Sequence, residues 1–366
     1  MLHTDLISPE LRPIAGKIHD GARLDFEDGV ALYRTSDLLG LGCLANAVRE
    51  RHNGNYAYFI VNRHINHTNV CANQCRFCAY YRQEGQEGAY TMPLEEVFQK
   101  AVAHAAEGIS ELHIVGGLHP TLPYGYYLDM LRGLKERLPG VILQAFTMVE
   151  VDHIARIGGK SVREALADLK AAGLDSIPGG GAEVFAPEVR ELLCEKKISG
   201  DRWLEVARTA HELGIKSNAT MLYGHVETVE QRVDHLLRLR GLQDETGGFL
   251  AFIPLAFHPE NTQVEGGLST TGYDDLKNLA VARLMLDNFP HIKSFWIMIG
   301  PKLAQISLSF GVDDIDGTVI EERITHSAGA TTAQGMSRSE LVHLIREAGR
   351  IPVERDTLYN IRKIEH

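Results

Sequence analysis

The stretch NVCANQCRFCAYYR, residues 69–82, puts Cys71, Cys75 and Cys78 within eight positions of one another in a chain that has five cysteines in all. An odd trio fits no disulfide framework, which takes an even count in a small secreted domain. A closed zinc site takes four ligands, usually as two separated pairs. His64 or His67 could supply the fourth, but the C-x3-C-x2-C spacing is unlike a pair of zinc knuckles. The remaining two cysteines help little: Cys43 lies in the apolar LLGLGCLANAV and Cys194 near a helix end in ELLCEKK, where free thiols usually pack as small hydrophobes. Thiolates also hold iron–sulfur clusters, which normally take four cysteines. A four-iron cluster held by three would leave one iron open to a substrate or cofactor.

The trio follows directly on YFIVNRHI (58–65), the first of eight apolar or β-branched runs. The others are ELHIVGG (111–117), VILQAFT (141–147), LDSIPGG (174–180), KSNATMLYG (216–224), FLAFIPLAF (249–257), IKSFWIMIG (292–300) and DDIDGTVI (313–320). Amphipathic stretches separate them. The clearest is 92–107, where Leu94, Val97, Phe98, Ala101, Val102 and Ala105 keep helical spacing, with Thr91 as cap and Gly108 as stop. Strands alternating with helices predict an α/β fold with a parallel sheet, and eight of them predict a closed (β/α)8 TIM-type barrel. An open doubly wound sheet is the alternative. Residues 1–55 read as an N-terminal helical extension and 56–366 as the barrel, with a C-terminal helix over 338–349 packed on it.

Barrel active sites lie at the C-terminal strand ends. The three cysteines sit there after the first strand, Gly116-Gly117-Leu118-His119 after the second, Gly224-His225 after the fifth and His258-Pro259-Glu260-Asn261 after the sixth. Gly, Asn and Pro punctuate any strand-to-helix turn, but three histidines at equivalent ends favour a functional rim.

The 366 residues are 44% hydrophobic, enough for a substantial core. No run of about eighteen apolar residues occurs, and the opening MLHTDLISPELRP has no apolar stretch, so a cytoplasmic protein is expected. A net charge of −11 disfavours nucleic acid and anionic membranes as partners and points to small molecules. There is no G-x-S-x-G, P-loop or H-E-x-x-H to support a hydrolase.

The C-x3-C-x2-C run with Phe77 before its last cysteine, placed after a first barrel strand, resembles the signature of radical S-adenosylmethionine enzymes. The resemblance implies a [4Fe-4S] cluster on Cys71, Cys75 and Cys78, with S-adenosylmethionine chelated by the open iron. An electron from the cluster then releases a 5′-deoxyadenosyl radical. It implies that Gly116 and Gly117 are the glycine pair near the methionine amino group, although Leu118 stands where the family has an acidic residue. Phe77 and Tyr80 would lie near the adenine and Glu150 would touch the ribose, unless it caps the next helix.

NRHINHTNVCANQCRFCAYYR, VGGLHPTLPYGYYLDMLRGLKE, SIPGGGAEVFAPEVR, SNATMLYGHVET, LAFIPLAFHPENT and PVERDTLY extend the resemblance from residue 50 or so to the C-terminus. They resemble the branch that serves the futalosine route to menaquinone, next to the enzymes that build deazaflavin. That branch implies addition of the adenosyl radical to the enolpyruvyl double bond of 3-[(1-carboxyvinyl)oxy]benzoate, aryl migration and loss of carboxylate, giving 6-amino-6-deoxyfutalosine. S-adenosylmethionine is then a consumed co-substrate, and an electron donor such as flavodoxin or ferredoxin is the implied partner. A sister enzyme with another acceptor and a non-catalytic metal-binding barrel are the competing readings.

A substrate with two carboxylates needs strong donors at the barrel mouth. His258 and His119 are the first candidates for catalysis, with Asn261 orienting. Arg82, His225 and Glu260 are the substrate-binding candidates. Lys302 reads equally well as a first-turn helix residue, and the triple glycine 179–181 as either a close approach to the nucleoside or a tight turn.

Overall fold

The computed structural model describes residues 7–103 and 108–365. Its strands are β1 (Tyr56–Ile60), β2 (Asn62–Ile65), β3 (Glu111–Ile114), β4 (Ile142–Ala145), β5 (Ser176–Ile177), β6 (Lys216–Tyr223), β7 (Phe249–Ala256), β8 (His291–Ile292), β9 (Asp314–Gly317), β10 (Ile351–Arg355) and β11 (Ile361–Ile364). β2 to β8 pair in sequence order as one parallel sheet. Its two ends meet on β9 and the residues just after it through single parallel bridges, Lys293 to Asp314 and Arg63 to Ile320. β2 to β9 therefore make the eight staves of a closed α/β barrel.

The closing stave is unusually acidic for a strand, and each buried carboxylate has a basic partner. Asp313 accepts from Arg283 Nη2 (2.5 Å) and pairs with His291 (2.6 Å), Asp314 accepts from Arg355 Nε (2.5 Å), and Asp316 from Lys293 Nζ (3.3 Å). Such pairs add little over a well-packed apolar core, but losing one partner strands a buried charge and costs about 3–5 kcal/mol. They fix the register of a strand with few ladder bonds.

Three features differ from the sequence expectation. The run 58–65 is two strands, not one: residues up to Ile60 pair with β10 and β9, and Asn62 onward with β3. The run 292–300 leaves the sheet after Ile292. Trp296 there buries its ring, donates Nε1 to Gly317 O (2.8 Å), and starts the short helix Trp296–Ile299. The helix of 92–107 spans Leu94–Val102 with Pro93 at its N-cap, while Thr91 hydrogen bonds Thr68 (2.9 Å) instead of capping; Ala105 lies outside the described residues. The C-terminal helix is Arg338–Glu347, and after it β10 and β11 extend the sheet carried by β1.

Ahead of the barrel, helices Arg12–His19, Phe26–Arg34 and Leu38–Asn53 precede β1. Among the described residues no helix is long and apolar enough to cross a membrane. Several outer helices open on reciprocal capping boxes, Thr147 with Glu150, Thr228 with Gln231 and Thr271 with Asp274. Each contributes about 1 kcal/mol and sets the turn out of the preceding strand at the C-terminal rim.

Candidate active site

A cavity of about 320 Å³ opens at that rim. The loop after β2 folds over it and is tied back on itself: Arg82 N donates to Asn69 O (2.8 Å) and Cys71 N to Arg82 O (3.0 Å). Arg82 Nη1 donates to Ala79 O (3.0 Å) and Tyr81 O (2.8 Å), so this guanidinium braces the cysteine loop and does not line the cavity. Gln74 turns the chain between the first two cysteines at φ 50°, and Arg76 N reaches Leu193 O (2.8 Å) across the mouth. The outcome is that Cys71, Cys75 and Cys78 all face the one cavity.

These residues fit a cluster. Among the described residues no three His, Cys, Asp or Glu side chains are set to hold a single metal ion. Three soft donors around an open volume are the arrangement a polynuclear iron–sulfur group needs. Burial pushes the Cys78 thiol up to about 11, so the site favours the neutral thiol until a metal replaces the proton. Gly117 makes the volume possible. A Cβ there would stand 2.2 Å from Val70 O and 3.0 Å from Cys71 Cβ, so any side chain would displace the loop.

Gly116, Gly117, Phe77, Tyr80, Glu150 and His258 line the same cavity. Glu150 has a definite role there. Its carboxylate accepts from Thr147 N (2.7 Å) and Gly116 N (2.9 Å), capping a helix and orienting the glycine pair together. Burial lifts its pKa to about 7 against those hydrogen bonds. Tyr80 is pinned through its hydroxyl to Tyr90 (2.5 Å), and His258 spends Nε2 on Met298 O (3.1 Å). Gly180 and Gly181 also line the cavity, whereas Gly179 at φ 82° packs on the Asn218 backbone.

The other sequence candidates do not line it. His119 turns its Nδ1 to the amides of Thr121 (3.2 Å) and Leu122 (3.2 Å), shaping the turn after β3. His225 lies against Glu227 (2.8 Å) and bonds Leu222 O (2.9 Å). Asn261, at φ 59°, donates to Ser327 O (3.1 Å), and Glu260 packs by Gly329; both hold the segment whose Ile324, Thr325 and Ala328 roof the cavity. Lys302 is exposed on an outer helix. His67, a possible zinc ligand by sequence, is enclosed behind Gly116 among Tyr126, Tyr127 and Phe146, and burial lowers its pKa to about 3.

The sequence reading missed Lys197, Glu183 and His113, and gave Cys194 and His64 other roles. Lys197 and Glu183 form a buried ion pair (2.5 Å) on the wall, with the ammonium 5.1 Å from the Phe77 ring centre. Cys194, read as packing, lies against Cys75 near Lys197, and the contact between the thiols raises Cys75 and lowers Cys194. His64 and His113, on adjacent strands at matched register, form the floor.

A parallel barrel with a three-thiol loop after its first stave and a glycine pair after the second defines a radical enzyme scaffold. The chain belongs to the radical SAM superfamily, whose model matches residues 65–239; a second model, the CofH/MqnC C-terminal region, matches 246–366. That superfamily works with a [4Fe-4S] cluster and S-adenosylmethionine. Among its relatives, the aminodeoxyfutalosine synthase of Thermus thermophilus is 54% identical over 96% of this chain and 95% of its own length. The aminodeoxyfutalosine synthase of Streptomyces coelicolor is 47% identical over 96% of this chain and 93% of its own. The crystal structure of methylornithine synthase matches in fold alone, with a TM-score of 0.74 at 19% identity over 93% of this chain and 97% of that one.

Proposed function

We propose that this chain is an aminodeoxyfutalosine synthase, joining the adenosyl group of S-adenosylmethionine to 3-[(1-carboxyvinyl)oxy]benzoate with rearrangement and decarboxylation. The observation that carries the reading is the convergence of Cys71, Cys75, Cys78, Gly116 and Gly117 on one cavity. Near-full-length similarity to synthases of that name supports this reading. The cluster, when bound, supplies the electron that cleaves S-adenosylmethionine.

The chain's own residues do the positioning. The three thiols hold the cluster at the mouth, and the glycine pair, steadied by Glu150, leaves room for the methionine end. Phe77 and Tyr80 wall the side on which the adenine is expected. Val115, Val149, Leu222, Ile253, Leu255 and Phe257 make the rest largely apolar, which keeps out water. Holding both reactants in one small volume supplies the proximity that a two-substrate addition needs. His258, its Nε2 fixed on Met298 O, is the rim candidate that the cavity retains. An external one-electron donor, flavodoxin or ferredoxin in kind, and a cytoplasmic setting complete the proposal; the free cysteines support a reducing compartment.

Anaerobically reconstituted protein with dithionite, S-adenosylmethionine and the benzoate acceptor is expected to give a covalent adenosyl–acceptor product and methionine by mass spectrometry. Free 5′-deoxyadenosine with no adduct would overturn the acceptor assignment, and no cleavage in cluster-loaded protein would overturn the radical reading.

A further inference from the structure

We propose that His64 and His113 form the seat for a carboxylate of the acceptor, as positioning residues on the cavity floor. The inference rests on the reading above that the acceptor is an aryl dicarboxylate. The two rings come from directly paired positions of β2 and β3 and stack at 4.3 Å with 8° between their planes. Phe295, also in the lining, lies parallel to His64 at 6.5 Å, so the floor is a set of aligned planes. Both imidazoles line the same space.

What remains for a ligand follows from where the nitrogen donors go. Five described lining side chains carry nitrogen: His64, Asn73, His113, Lys197 and His258. Lys197 is committed to Glu183 and His258 donates to Met298 O, while Asn73 belongs to the cysteine loop at the opposite end. His64 is only 6% exposed, yet neither ring nitrogen has a hydrogen-bond partner among the described residues. Unlike those of His67, its ring nitrogens are not sealed away, so a ligand in the cavity can satisfy them. His113 turns Nδ1 towards Glu111 (3.8 Å), itself held by Asn62 (3.1 Å) and Thr357 (2.9 Å). At 3.8 Å Nδ1 makes no hydrogen bond, so the ring's N–H can sit on Nε2 and serve the cavity. The nearby Asp316 is answered by Lys293 (3.3 Å) and does not oppose an incoming anion alone.

Two N–H groups on parallel rings match the two oxygens of a carboxylate, and the acceptor is placed at the end of the cavity away from the cysteines. The glycine pair and Phe77 remain for S-adenosylmethionine. His64 and His113 thereby select an acidic acceptor and set the distance of its alkene from the mouth.

The test uses cluster-loaded full-length enzyme, with binding of 3-[(1-carboxyvinyl)oxy]benzoate and of plain benzoate followed by calorimetry. His64→Phe and His113→Phe keep the ring planes and remove the donors. Each is expected to weaken both ligands at least tenfold, while the change that S-adenosylmethionine causes in the EPR signal of the reduced cluster stays as in wild type. His64→Gln, which restores an N–H, is expected to recover acceptor binding to within about threefold. In the Phe variants S-adenosylmethionine cleavage continues but yields 5′-deoxyadenosine instead of adduct. Unchanged acceptor affinity, or equal loss of the S-adenosylmethionine signal, would overturn the seat. Wild-type enzyme that binds benzoate through these histidines yet makes no adduct would overturn the proposed function and leave the seat standing. Wild-type enzyme that makes adduct while the Phe variants bind normally would do the reverse.

Discussion

Gly117→Ala tests the link between backbone shape and cluster binding. The new Cβ would meet Val70 O at 2.2 Å, Val70 C at 2.7 Å and Cys71 Cβ at 3.0 Å, against a floor of 3.0 Å for real Cβ contacts. Relief requires the Val70 carbonyl to withdraw by about 1 Å, and it cannot do so alone. Its neighbour Cys71 donates to Arg82 O (3.0 Å), and Gly117 itself donates to Thr68 O (2.9 Å). Overpacking of this kind costs about 1–3 kcal/mol, a fall in Tm of roughly 1–4 °C for a protein this large. The functional loss is larger, because a 1 Å misplacement of a positioned group can cost about 100-fold in rate. The assay is iron and sulfide per polypeptide after anaerobic reconstitution, alongside Tm of the cluster-free protein and adduct formation. Gly140→Ala, where a Cβ meets nothing within 4 Å, is the control and should match wild type. A Gly117→Ala protein that loads and turns over like wild type would refute the reasoning.

Cys75→Ala should lose the cluster's absorbance and all turnover while its far-UV circular dichroism stays native, since the barrel core does not run through this rim loop; unfolding of the variant would argue for a structural metal instead. Lys197→Met strands the Glu183 carboxylate in the wall and is expected to cost about 3–5 kcal/mol, read as a lower urea midpoint. A midpoint within experimental scatter of wild type would mean that Glu183 finds another partner. Burial raises Glu150 from 4.5 to about 7 in the fold, so its contribution is fully present below the ordinary carboxylate value and is lost as pH rises through 7. The difference corresponds to about 3 kcal/mol. Urea midpoints of the wild type should fall more steeply between pH 5 and 8 than those of Glu150→Gln, and parallel slopes would contradict the assignment.

The barrel was legible because its signal is redundant. Eight apolar runs set among helical stretches point to a closed parallel sheet even though several of them, such as 174–180 with only Ser176–Ile177 in strand, contribute little ladder. Boundaries were less legible where one apolar run serves two sheets. Nothing in YFIVNRHI announces that pairing changes partner at Val61, because both halves are buried and neither alternates strongly. The strand β10 was hidden for a related reason: PVER carries two charges, and only Arg355 on Asp314 and Glu354 on Arg338 make them tolerable there.

The cysteines and the glycine pair, singled out by spacing, share one cavity, whereas of the three rim histidines only His258 lines it. A polar residue just past a strand end has many backbone groups within reach, so His119 and His225 are drawn into their own turns. A polar residue inside a short apolar run has no such outlet. Asn62, His64, Glu111, His113, Gln144 and Ser176 recur at such positions of β2 to β5, and Gln144 with Ser176 (3.3 Å) and Asn62 with Glu111 (3.1 Å) join them across the staves. Alternation has period two, so the same phase on neighbouring strands at matched register collects these groups into one belt inside the barrel. Burying that belt costs free energy unless each member is satisfied. His64 and His113, the members of the belt that line the cavity, are therefore where the barrel holds capacity for a ligand.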